Sequence, residues 1–208
     1  MAATKKQFAS TYDVHPSLGM YQSSLAALKQ KTGRTLEEWI KLVKKEAPAT
    51  EKERRAWLKA EHGLGMNYAG WIAEQSVGKG DDGNPETYLK HAEEFVQSMY
   101  SGSKEPLRPI YEELLALGRS LGKDVKVCPC KTVVPLYRQH VFAQIKPTTR
   151  TRIDLGLALK DTKVPKRLID TGGFAKKDRI THRIEITSVK DIDAEVKKWL
   201  NTAYEMDK

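Results

Sequence analysis

Between Lys123 and Ser188 apolar side chains recur at every second position. In His140–Lys146, Val141, Ala143 and Ile145 alternate with His140, Phe142, Gln144 and Lys146. In the stretch 151–159, Ile153, Leu155, Leu157 and Leu159 alternate with Arg152, Asp154, Gly156 and Ala158. In 180–187, Ile180, His182, Ile184 and Ile186 alternate with Thr181, Arg183, Glu185 and Thr187. A period of two predicts strands with one face buried and one wet, as in antiparallel sheets.

Elsewhere the period is that of a helix. Leu25 and Leu28 share a stripe in 19–32, which stops at Gly33. Thr35-Leu-Glu-Glu38 and Thr50-Glu-Lys-Glu53 are capping-box patterns, in which the threonine hydroxyl and the glutamate carboxylate satisfy each other's free amides. The first opens a helix carrying Leu36, Trp39, Ile40 and Val43, interrupted by Pro48; the second opens one through Trp57 and Leu58. After His62-Gly-Leu-Gly65 a short helix, about Asn67–Gln75, carries Tyr68, Trp71 and Ile72. Helices are also predicted over 85–100, over 106–121 with Ile110, Leu114, Leu115 and Leu117 inward, and from Ser188 through Tyr204 with Ile192, Val196, Trp199 and Leu200 inward.

The predicted organisation is α+β. Residues 1–18 form a flexible polar tail and 19–77 a small all-α module of four helices with a hairpin-like turn. Residues 78–85, with three glycines, paired aspartates and Pro85, form a linker. Residues 86–208 form a domain of order ααββββα, with room for one further strand and with helices covering one face of an antiparallel sheet.

Composition sharpens this only in part. No apolar run reaches the roughly 20 residues of a membrane helix, and the N-terminal stretch lacks the apolar segment of a secretory signal. The two cysteines form Cys128-Pro-Cys130, too close for an ordinary disulfide and not a redox motif, so a reducing cytoplasm is expected. The net charge of +9 is unevenly spread: residues 123–183 hold 15 basic and 5 acidic side chains. Such a segment can focus a field on an anionic partner.

Three groups of residues could carry function. The order Gly63-Leu64-Gly65-x-x-x-Ala69-x-x-Ile72 resembles the helix-hairpin-helix motif of non-specific DNA-binding proteins, although His62 and Asn67 stand where that motif often has proline and lysine. Glycines permit close approach of a phosphate, and the following helix offers unpaired amides. Lys146, Arg150 and Arg152 flank a Pro-Thr-Thr turn and could line a groove, with Tyr137 and Phe142 as stacking platforms. Alternatively Lys131, Arg152 and His182 could orient a small anionic ligand in a pocket between sheet and helices, leaving the helical module to meet a protein partner of unknown kind. Cys128, Cys130, His140 and His182 lack zinc-site spacing, and no phosphate-loop, dinucleotide or metalloprotease motif is present, so no metal or cofactor is expected.

Two stretches also resemble known families. TGRTLEEWIKLVKKE followed by WLKAEHGLGMNYAGWI is similar to domain of unknown function 4287, and KTVVPLYRQHVFAQIKPTTRTRIDLGLAL followed by ITHRIEITSVKDIDAEVKKWLNTAY is similar to domain of unknown function 5655. The two commonly occur in tandem, which implies a boundary near Gly80 and a bacterial cytoplasmic protein, and implies no activity, ligand or site residue. The expectation is a non-enzymatic, sequence-tolerant nucleic-acid-binding accessory protein that holds DNA or RNA by backbone phosphates, with no membrane association. The small-ligand module is the alternative.

Overall fold

The computed structural model describes residues 10–79, 83–163 and 166–208. The chain divides into two units, Pro16–Tyr88 and a second that combines the stretch ending at His15 with Leu89–Lys208. The first unit contains α1 (Ser17–Ala26), α2 (Leu28–Thr32), α3 (Leu36–Glu46), α4 (Glu51–His62) and α5 (Met66–Ser76). The single helix predicted for 19–32 is thus two. Ser23 turns its hydroxyl back onto the Gly19 carbonyl at 2.9 Å, a bond that competes with regular helix geometry just before the break at Ala27.

Both capping boxes form as predicted. Thr35 N–H donates to Glu38 Oε2 at 2.7 Å while Glu38 N–H donates to Thr35 Oγ1 at 3.2 Å, and Thr50 and Glu53 repeat the arrangement. The core of the unit gathers Leu28, Trp39, Val43, Leu58, Leu64, Ala69, Ile72 and Ala73. The indole of Trp39 keeps its N–H satisfied by donating to Thr32 Oγ1 at 2.8 Å.

α6 (Pro85–Met99) runs across the division at Tyr88; in the second unit its remainder and α7 (Arg108–Ser120) precede a six-stranded sheet, and α8 (Ala194–Met206) follows it. The strands are β1 (Lys126–Val127), β2 (Val134–Tyr137), β3 (Val141–Pro147), β4 (Ile153–Leu157), β5 (Ile169–Asp170) and β6 (His182–Ile186), ordered β1-β2-β3-β4-β6-β5 with every pairing antiparallel. The register aligns Leu136, Ala143, Leu157 and His182 in one row and Val134, Ile145, Leu155 and Ile184 in the next. These rows are buried and meet the helices: α8 packs on β3 and β4, and α7 lies close on Leu136 at Gly118. Burying each such Leu or Ile stabilises the fold by about 1.5–3 kcal/mol.

Three expectations are corrected. Phe142 does not face solvent: a bulge shifts the β2–β3 register between Leu136 and Tyr137, and the ring is fully buried, edge-on to Tyr204 at 5.6 Å. The sheet has six strands where four or five were predicted, because β1 and β5 are two residues long and too short to show alternation. The stretch from Ser10 to His15, expected to belong to a loose tail, is laced to the sheet unit. Asp13 N–H donates to the Val127 carbonyl at 2.8 Å, Val127 N–H returns to Asp13 Oδ2 at 2.8 Å, and the Tyr12 and Tyr111 hydroxyls share a hydrogen bond of 3.0 Å. Residues 1–9 of that expected tail, and 80–82 of the expected linker, lie outside the described residues. Gly83, from the same linker, accepts from Gln22 Nε2 at 2.6 Å and packs on Tyr21.

Two predictions follow from this packing. A Cβ at Gly118 would sit 2.6 Å from Leu136 Cδ1, so Gly118→Ala should destabilise the sheet unit by about 1–3 kcal/mol through overpacking, read as a lower urea midpoint. The amide of Thr35 holds the Glu38 carboxyl below the usual range, and the hydroxyl of Thr50 does so for Glu53. Their folded-state values lie below the unfolded ones, so this stabilisation is present above the ordinary glutamate range and is lost as pH falls through the lowered values. Carboxyl NMR titration should show both midpoints depressed, with Glu53 moving toward the ordinary value in Thr50→Ala, which removes the hydroxyl, and Glu38 staying depressed in Thr35→Ala, which keeps the amide.

Candidate functional site

Gly63 and Gly65 close the turn between α4 and α5 in different ways. Gly63 is the left-handed C-cap of α4 at φ +62°, and Leu64 N–H reaches back to the Leu58 carbonyl at 3.3 Å while its side chain enters the core. Gly65 is the N-cap of α5 with extended backbone and contributes no side-chain acceptor to the first amides of that helix. The Gly63–Leu64–Gly65 turn forms one wall of a cleft of about 560 Å³, shared with Lys31, Arg34 and Tyr68. Among the described residues no carboxylate lines this cleft. Lys31 and Arg34 flank the α2 stop at Gly33, and the Arg34 guanidinium lies over the Trp39 ring at 5.1 Å. Asn67 is exposed beyond the turn and does not line the cleft.

His62 forms the back of the same cleft. Its ring stands edge-on to Trp39 at 5.1 Å and to Trp57 at 4.5 Å, and its Nε2 is shut from solvent with no hydrogen-bond partner.

The basic residues of the sheet unit separate into three environments. Arg152 lies across the strands: Nε is 3.0 Å from Asp154 Oδ1 and an Nη is 2.9 Å from Glu185 Oε1, while Arg183 meets the same two carboxylates at 3.1 and 2.8 Å. Two cations and two anions close a square of no net charge, so the wet face of the sheet is not the continuous basic groove that alternation suggested. Arg150 is exposed in the turn between β3 and β4.

Lys146 and Lys131, by contrast, come together. With Lys104 they line a cleft of about 480 Å³, together with the hydroxyl-bearing Ser98, Thr132 and Thr148 and, among the described residues, no carboxylate. Lys104 Nζ donates to the Pro147 carbonyl at 2.5 Å, which ties one rim to the end of β3. Sequence reasoning assigned Lys131 and Lys146 to different sites and missed Lys104, which precedes the sheet by more than twenty residues.

Lys131, Arg152 and His182 stand in different environments. Lys131 lines the three-lysine cleft, Arg152 is held in the ion square, and His182 is 4% exposed with Nδ1 2.9 Å from Thr181 Oγ1. The stacking platforms fare no better: Phe142 is in the core, and the Tyr137 hydroxyl is engaged by His15 Nε2 at 2.9 Å. Cys128 and Cys130 are free thiols; burial pushes the Cys128 thiol up to about 12, and its Sγ lies 3.7 Å from the Val14 carbonyl. His140 Nδ1 is 3.1 Å from Asp207 Oδ1.

The His62 environment yields a prediction. Phenylalanine at this position retains both edge-to-face contacts and removes the orphaned nitrogen, so His62→Phe should raise stability by about 1 kcal/mol in urea unfolding.

Comparison with known proteins places the two units in families. Residues 20–76 match the family model described as Domain of unknown function (DUF4287), and residues 96–207 match Domain of unknown function (DUF5655). No curated protein and no solved structure matches the chain. No helix among the described residues is long and apolar enough to cross a membrane. The longer match spans more than half of the chain and includes its whole sheet, with the shorter one N-terminal to it: the protein belongs to the DUF5655 family and carries a DUF4287 module ahead of that domain.

Proposed function

We propose that this protein is a nucleic-acid-binding accessory protein that grips backbone phosphates with little regard for sequence. One observation carries the reading: the Gly63–Gly65 turn walls a cleft that holds Lys31 and Arg34 and no acid, beside the open N-terminal end of α5. Unpaired amides, a helix dipole and two cations suit the same ligand, a phosphate. The cleft of Lys104, Lys131 and Lys146 supports a second phosphate contact, in the other unit. Two weak contacts on one chain raise avidity where both can engage the same strand. The paired arginines of the sheet face have no part in this reading, since their charge is already balanced. A reducing cytoplasmic setting, supported by the two free thiols, is part of the same proposal.

The test is fluorescence anisotropy of labelled single- and double-stranded DNA at low and moderate salt. Binding should weaken with salt, with a log–log slope of about −0.9 per phosphate contacted on duplex. Lys31→Ala with Arg34→Ala, and separately Lys131→Ala with Lys146→Ala, should each lower affinity and flatten that slope by about one to two contacts. Gly65→Ala is the sharper probe. Gly65 has an ordinary backbone conformation with nothing within 4 Å of an added Cβ, so the fold tolerates alanine while the methyl obstructs a phosphate at the turn. No binding at low salt, or equal binding by all three variants, would sink the proposal.

A further inference from the structure

The sheet unit has a second cleft that phosphate contact does not use. It measures about 580 Å³, within the range of small-molecule sites. Ala158, Phe174 and Met206 give it apolar walls, Thr181 a hydroxyl, and Lys160 and Lys177 cations. Of its two acids, Asp207 is buried and paired with Arg179 and His140, and Asp178 Oδ1 accepts from Ile180 N–H at 3.2 Å; the three cations Lys160, Lys177 and Arg179 outnumber them. Neither Lys160 nor Lys177 joins an ion pair among the described residues.

Two features mark this cleft. Lys160 at φ +54° and Lys177 at φ +57° are the only non-glycine residues with left-handed backbone among the described residues, and both line it. A side chain held in that conformation carries strain, which persists where the surroundings impose it and concentrates at ligand clamps. The second feature is Phe174, 56% exposed and the only aromatic ring among the large exposed hydrophobic side chains described. Its loop is not loose. Thr171 Oγ1 bonds the Thr181 carbonyl at 2.9 Å, Asp178 N–H donates to the Gly173 carbonyl at 2.8 Å, and a Cβ at Gly173 would stand 2.3 Å from the Ile180 carbonyl. A tightly bonded loop thus holds a bare ring at the mouth of a cleft flanked by two unpaired cations.

We propose that this cleft binds a small molecule with a single acidic group on a flat apolar body, of the class of aromatic carboxylates. The ring face stacks on Phe174 against Ala158 and Met206, and the acidic group is held by Lys160 and Lys177. The proposal is independent of nucleic-acid binding and uses other residues.

The probe is 2-naphthoate, titrated into the full chain by calorimetry, with neutral 2-naphthalenemethanol as control. Naphthoate should bind saturably at one site, about tenfold more tightly than the alcohol. Phe174→Ser should weaken both ligands by about tenfold or more. Lys160→Gly with Lys177→Gly should bring naphthoate down to the level of the alcohol and leave the alcohol unchanged, since glycine suits both backbone positions. Failure of naphthoate to saturate the wild-type chain would overturn the proposal. So would equal binding of acid and alcohol, or undiminished binding by Phe174→Ser.

Discussion

An antiparallel ladder with one oily face tolerates no slip, and the sheet unit is organised around that constraint. Moving β4 by a single residue would carry Ile153, Leu155 and Leu157 into water and bring Asp154 toward the core. The observed register avoids this and, on the opposite face, sets Asp154 beside Glu185 in the row next to Arg183. The ion square of Arg152, Arg183, Asp154 and Glu185 is therefore a product of the same alignment that builds the core. Its arginines are ligands to their own carboxylates before they can be ligands to anything else.

This explains why the charge of the chain misleads when it is counted by segment. Residues 123–183 are strongly basic in sum, yet their arginines on the sheet are locally balanced. Several cations that join no ion pair among the described residues stand in clefts built by loops and helix ends: Lys104, Lys131 and Lys146 in one, Lys160 and Lys177 in another, Lys31 and Arg34 in a third. A lysine in such a place keeps its charge available to an incoming anion, whereas an arginine on a strand meets carboxylates one row away.

Much of the fold was legible because its signals are local. Thr35 with Glu38, Thr50 with Glu53, and the alternation in β3, β4 and β6 each announce themselves within a few residues, and each appears in the structure. What stayed hidden depends on distance along the chain. The bulge that buries Phe142 arises from pairing with β2, not from the residues of β3 alone. Lys104 meets Lys146 only once α7 and two strands separate them in sequence and bring them back in space. The Gly63–Gly65 turn was visible, but its cationic neighbours Lys31 and Arg34, some thirty residues earlier, could have been suspected only from their position on either side of Gly33.

The lacing of Asp13 to Val127 has a consequence for how the protein can be divided. β1 is the terminal strand of the sheet, and its outward amide and carbonyl are consumed by a residue encoded before the entire helical module. The two family segments read as beads on a string, but the sheet takes its hem from the far side of the first bead. A fragment cut between the families would keep every strand and lose that hem, presenting a bare edge on which a neighbouring chain could pair.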